Sequence, residues 1–140
     1  MTNTSARRGR GEAPRTVAVH IYDRHTTPDR DALRHRLEAC SAFARRQGWE
    51  IVGWYVDSGT DAFTYDRRPA LDRLLHSMSQ GTDDRRLLIY DWSRLSNDLA
   101  VQAEYLRRVR GSGGTTNTVI SGDNNSSTQR GRLRSLARVA

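Results

Sequence analysis

Two short segments of this chain set hydroxyl groups beside arginines. Tyr22-Asp23-Arg24-His25-Thr26-Thr27 follows one apolar run, and Ser93-Arg94-Leu95-Ser96-Asn97 follows another. A guanidinium keeps its charge and offers directed donors, while a hydroxyl can donate, accept or attack. Both segments fall where a strand is predicted to end, and the carboxyl ends of strands are where an open α/β sheet builds its site.

The remaining chemistry-bearing residues point to less. His20, His25, His35 and His76 share no metal-ligand spacing with one another or with Cys40, and they read as scattered polar or surface side chains. No metal and no cofactor are expected. Asp57 and Asp61 flank a polar stretch and read as solvated loop carboxylates. Trp49, Trp54 and Trp92 read as packing or strand-end residues rather than a base-stacking platform. The Gly-rich residues 111–114 lack the Lys and Ser/Thr of a phosphate-binding loop and read as a linker.

Strands and helices must carry the two segments. Residues 16–22 are β-branched and aromatic, suited to a first strand. Pro28 then lies near the start of a helical pattern, with Thr27 a candidate N-cap and Asp29 and Asp31 in the first turn. Leu33, Leu37, Cys40, Phe43 and Ala44 form one core-facing stripe that runs up to Gly48. Residues 49–56 read as a second strand and 57–68 as a mobile loop.

Pro69 opens a second helical pattern, with Leu71, Leu74, Leu75 and Met78 on one face and Gly81 at its end. Leu87, Leu88, Ile89 and Tyr90 are a continuous apolar run of the kind buried in a parallel sheet. Helical spacing resumes over 95–110 through Leu99, Tyr105, Leu106 and Val109. The order β-α-β-α-β-α predicts an α/β fold in three layers, a mostly parallel central sheet with helices on both faces. Residues 1–15 read as a basic disordered tail. Residues 111–140 read as a polar, low-complexity and basic tail, too poor in apolar surface to offset chain ordering. Within it a short edge strand at 116–121 and a weak helix at 132–140 are the candidate elements.

With those elements in place, the motifs resemble the N-terminal catalytic domain of serine recombinases, the resolvase and invertase family. The family's first strand ends in Tyr, any residue, Arg, Val, Ser, Thr, which stands here as Tyr22 to Thr27. An Arg before a helix-opening segment with leucines is matched by Arg68-Pro69-Ala70-Leu71 and Leu74-Leu75. The family's Asp-Arg-Leu-Ser-Arg is matched by Ser93-Arg94-Leu95-Ser96-Asn97. Gln47-Gly48-Trp49-Glu50 and Tyr55-Val56-Asp57-Ser58-Gly59 also agree. The resemblance covers residues 17–110 and implies a resolvase-like catalytic domain over 16–110.

It also implies a chemistry. In such enzymes a serine hydroxyl attacks a DNA phosphodiester, forms a 5′-phosphoserine link and releases a 3′-hydroxyl. Arg24, Arg68 and Arg94 occupy the positions of the phosphate clamp, whose planar forks stabilise charge spreading over the phosphoryl group. Thr26 occupies the nucleophile position, and Tyr22, Thr27 and Ser96 are the implied DNA contacts. Two departures stand against full activity. The methyl of Thr26 restricts χ1 and crowds in-line attack, and Ser93 and Asn97 replace the family's Asp and second Arg. The expectation is an impaired or inactive recombinase domain, truncated before the dimerising helix and DNA-reading region. The alternative is a noncatalytic DNA-binding or recombinase-interacting module.

Charge and composition narrow the partners. All 23 basic residues are Arg. Residues 17–110 carry 15 Arg against 14 acids, so the excess lies in the two tails, where it could meet a DNA backbone. DNA, a second copy of the chain and a full-length recombinase are the implied partners. No apolar run reaches the roughly 18 residues of a membrane span, and no signal-peptide pattern is present. A cytoplasmic location is expected, and the single Cys40 closes no internal disulfide.

Overall fold

The apolar run at residues 18–22 lies at the centre of a sheet. A computed structural model describes residues 16–59 and 68–120. Strand β1 (Val17–His25) leads to helix α1 (Arg30–Gln47) and strand β2 (Glu50–Ser58), and these are followed by helix α2 (Pro69–Gln80) and strand β3 (Asp84–Ile89). A single 3₁₀ turn (Trp92–Arg94) precedes helix α3 (Leu99–Gly111) and strand β4 (Gly114–Thr118). The sheet order is β2-β1-β3-β4, with every pairing parallel. Strand order therefore reverses between β1 and β3, and a crevice opens beyond their carboxyl ends.

Each face of the sheet has its own core. Val19, Ile21 and Leu88 meet Cys40, Phe43 and Ala44 of α1. On the other face Tyr22, Leu87 and Ile89 pack with Leu71, Leu74 and Met78 of α2 and with Tyr105, Leu106 and Val109 of α3. Burial on both faces explains why β1 and β3 read as continuous apolar runs rather than alternating ones. The β1–β2 register skips from Val19↔Ile51 to His20↔Gly53, which leaves Val52 as an extra residue. This bulge lets Ile51 pack on the α1 side while Tyr55 packs on the α2 and α3 side.

The boundaries differ from expectation where polar side chains capture the backbone. Helix α1 is capped by Asp29, whose carboxylate accepts from the Ala32 amide at 3.0 Å, rather than by Thr27. At its other end Gly48, at φ 76°, takes the left-handed conformation that closes the helix. Helix α3 starts at Leu99 instead of Leu95. Ser96 accepts from the Asp98 amide at 2.9 Å and Asp98 caps through Ala100 and Val101, so this segment is bent before it can be helical. Strand β4 begins two residues before the expected edge strand and pairs with β3 from Arg85↔Gly114 to Ile89↔Thr118. The proposed helix at 132–140 and the segment around Asp61 lie outside the described residues. Among the described residues, no helix is long and apolar enough to cross a membrane.

Candidate functional site

The carboxyl ends of β1 and β3 are tied together by two arginines. Arg24 Nη2 donates to the Ser93 carbonyl at 2.8 Å, and Arg94 Nη1 donates to the Arg24 carbonyl at 2.5 Å. The exchange brings both guanidinium groups to the strand switch point. Thr26, the residue after β1, is half-buried there, while Thr27 is exposed and accepts from the Asp29 amide at 3.4 Å.

Ser93 sits between Arg94 and an acid. Its hydroxyl donates to Asp91 Oδ1 at 2.5 Å and accepts from Arg94 Nε and Nη2 at 3.2 and 3.1 Å. Asp91 also accepts the Ser93 amide at 3.0 Å and lies 3.7 Å from Arg94 Nε. A carboxylate thus approaches Arg94 from two residues upstream of the position where the family resemblance expects one. Asn97 is exposed and belongs to the bend before α3.

On the α1 side of β1, Arg36 Nε and Nη2 donate to the two oxygens of the buried Asp23 at 2.8 and 2.7 Å. Arg36 Nη2 also reaches His25 Nδ1 at 3.3 Å, and Arg94 Nη1 lies 4.0 Å from Asp23 Oδ2. The hydrogen bonds that Arg36 donates to Asp23 are the main reason that Arg36 holds its proton above the ordinary arginine value. Asp23, Arg36 and Asp91 were not candidates by sequence. Asp23 and Arg36 meet only through strand alternation and helix phase. Asp91, by contrast, could have been noticed as an Asp two residues before Ser93, a local hydrogen-bonding spacing.

Arg68 and Tyr22 lie beneath this surface. Arg68 is fully buried, donates to the Leu95 carbonyl and lies 5.4 Å from the Tyr105 ring centre. The Tyr22 hydroxyl donates to Asp57 Oδ2 at 2.8 Å. Burial and then the Asp57 charge push that hydroxyl well above the ordinary tyrosine range, against the opposite pull of Arg68. Asp57 also accepts from the amides of Ala70 and Leu71 at 2.8 and 3.1 Å, so it is a buried helix cap and not a solvated loop carboxylate.

Burial separates the remaining expected positions. Tyr22 and Ser96, implied as DNA contacts, are both fully buried. Tyr22 is engaged by Asp57, and the Ser96 carbonyl accepts from Gln102 Nε2 at 2.6 Å. His20 and His25 are buried rather than superficial. Trp92 packs in the core, but Trp54 is 48% exposed and borders a cleft of about 790 Å³ with His25, Arg30, Leu33 and Arg34. No group of His, Cys, Asp and Glu gathers as metal ligands among the described residues.

The family described as Resolvase, N terminal domain matches residues 19–139. No curated protein matches the chain. Among solved structures, the C-terminal catalytic domain of ISC1926 TnpA, an IS607-like serine recombinase, is similar with a TM-score of 0.63 at 18% identity, over 73% of this chain and 69% of that one. The N-terminal catalytic domain of TP901-1 integrase has a TM-score of 0.65 at 19% identity, over 86% and 96% of the two chains. A resolvase family site-specific recombinase from Streptococcus pneumoniae has a TM-score of 0.64 at 19% identity, over 88% and 94%. At these identities the structural likeness speaks for the fold.

Proposed function

Since this chain belongs to the resolvase family of recombinase catalytic domains, we propose that its strand switch point binds a DNA phosphodiester, with Thr26 at the nucleophile position and strand cleavage impaired. The observation that carries this reading is the reciprocal tie between Arg24 and Arg94, which holds two arginines together at the carboxyl ends of β1 and β3. Arg94 and Arg24 would contact the phosphate oxygens. Arg68 would act from below, holding Leu95 and the Tyr22 layer in place.

In the reaction, the Thr26 hydroxyl oxygen bonds to phosphorus as its proton departs, and the bond from phosphorus to the 3′ oxygen breaks. The products are a 5′-phosphothreonine ester and a 3′-hydroxyl, which takes up a proton. The ester keeps the phosphoryl group activated, so religation is the same step in reverse. Exposed Asn97 offers no cation where the family has one. By analogy with the loss of an oxyanion donor, a missing cation costs about 3 to 4 kcal/mol of transition-state stabilisation. The β-methyl of Thr26 adds to that deficit.

A denaturing gel that detects protein joined to nicked, end-labelled DNA tests the reading, with candidate sites taken from the neighbouring genome. The native chain is expected to give a trace adduct or none, Thr26→Ser a stronger one, and Thr26→Ala none. If Thr26→Ser gives no adduct on DNA that it demonstrably binds, phosphoryl transfer is excluded and a noncatalytic DNA-binding module is left. Failure of every variant to bind DNA would overturn both.

A further inference from the structure

We propose that Arg36 is a positioning residue: by gripping both oxygens of the buried Asp23, it keeps that acid from capturing Arg94 and leaves the Arg94 guanidinium available to phosphate. The inference rests on the phosphate-binding reading above and concerns Arg36, which lies outside the motifs that carry the family resemblance, and Asp23, which stands at the unspecified position of the first.

Asp23 is 1% exposed, so its carboxylate needs a partner inside the protein. Two cations lie near it among the described residues. Arg36 makes the close, two-pronged contact at 2.8 and 2.7 Å, whereas Arg94 Nη1 stands 4.0 Å away. A shift of about 1 Å would bring Arg94 into a charge-assisted hydrogen bond with the same oxygen. Arg94 is held back from that shift by neutral oxygens, the Arg24 carbonyl and the Ser93 hydroxyl, which orient it without cancelling its charge. The nearer acid, Asp91, is 3.7 Å from Nε and already accepts the Ser93 hydroxyl and amide on the same oxygen.

Arg36 is well placed to win this competition. It projects from α1 on the face of β1 opposite Tyr22, and its third contact, with His25 Nδ1 at 3.3 Å, fixes the orientation of the fork. Without Arg36, the unpaired Asp23 would draw Arg94 inward. The site would then lose a phosphate ligand, although no residue touching the phosphate had changed.

The test follows the arginine Nε–H resonances by NMR in Arg36→Met, Asp23→Asn and the double variant, with inorganic phosphate as the probe. In ligand-free Arg36→Met the Arg94 resonance is expected to shift and its guanidinium rotation to slow. Phosphate binding read at Arg94 should weaken about tenfold, the worth of one charge-assisted hydrogen bond. Asp23→Asn should leave Arg94 and its phosphate affinity close to native, and Asp23→Asn/Arg36→Met should restore both. A merely structural role for Arg36 predicts the opposite, a double variant as weak as the single one.

An unmoved Arg94 resonance in folded Arg36→Met overturns the proposal, as does a double variant that binds phosphate about tenfold more weakly than native. Should Arg36→Met not fold, the double variant, which buries no lone charge, carries the decision. A native chain whose Arg94 does not respond to phosphate would sink the phosphate-binding reading. The ligand-free shift would still decide whether Arg36 restrains Asp23.

Discussion

The Asp57 carboxylate receives the Tyr22 hydroxyl and the amides of Ala70 and Leu71, joining β1, β2 and the start of α2 through one buried side chain. Arg68, the residue before α2, makes no side-chain cap bond of its own, so Asp57 caps that helix from across the sheet. Asp57→Ala strands three donors at once and is expected to cost about 3 kcal/mol or more, since each buried donor left unpaired costs roughly 1–3 kcal/mol. Asp57→Asn keeps an acceptor and should cost less. Urea unfolding of the two variants checks the order, and an Asp57→Ala loss within about 0.5 kcal/mol of native would show that solvent or another group replaces the carboxylate. Cys40 gives a second expectation at this scale. It is 1% exposed, and burial, ahead of the nearby Asp23 charge, pushes its thiol up to about 12. The folded protein should resist iodoacetamide at about pH 8, and alkylation should follow urea denaturation. Rapid labelling of the native chain, read by mass, would mean that α1 opens locally.

Among the elements, β4 departs most from what its composition suggests. Its inward residues are Gly114, Thr116 and Thr118, with no large apolar side chain, yet all three are buried. The strand docks through its parallel main-chain ladder to β3 and through the small size of Gly114. A Cβ there would lie 2.1 Å from Met78 Cε and 3.0 Å from the Arg85 carbonyl oxygen. Met78 can swing aside, but the Arg85 backbone cannot. Gly114→Val is accordingly expected to destabilise by about 1–3 kcal/mol, the range for overpacking, with Gly114→Ala at the low end. A lowered urea midpoint, together with faster amide exchange along β4, would be the signature. Unchanged β4 exchange in Gly114→Val would mean that the strand is not held by this close approach. The same contrast shows why some elements were legible in the sequence. Helices α1 and α2 announce themselves because Leu37, Cys40 and Ala44, or Leu71, Leu74 and Met78, recur at helical spacing. The start of α3 was not legible, because Ser96 and Asp98 take backbone donors from an otherwise helical pattern. Arg24 and Arg94 could be assigned to one site in advance because each falls where the sequence predicts a strand to end, although β1 runs on through Arg24 to His25. Asp23 and Arg36 could not, since their meeting depends on the phase of α1 against β1.

For the molecule as a whole, buried titratable groups set the pH range over which the two cores hold together. His20 is 6% exposed near the Tyr55 ring, and its pKa is lowered first by burial and then by Arg85. The unfolded chain, with histidine near 6.5, then binds more protons than the folded one, so stability is present above that pH and is lost as pH falls toward the lower folded value. Cys40 and Tyr22 act at the other end. Their pKa values are raised on folding from 9.0 and 10.0, chiefly by burial, so the unfolded chain releases protons first and stability falls as pH rises above about 9. Each unit of separation is worth about 1.4 kcal/mol once the unfolded group has titrated. The expected curve is a plateau between roughly pH 7 and 9 with a loss on either side. An acid limb that begins near 6.5 belongs to His20, because unperturbed carboxylates titrate about two units lower. His20→Gln should therefore delay the acid limb, and Cys40→Ala should flatten the beginning of the alkaline one. Urea midpoints measured across this range decide the matter. A His20→Gln curve that overlays the native one below about pH 6.5 would assign the acid loss to carboxylates and leave His20 without a role in it.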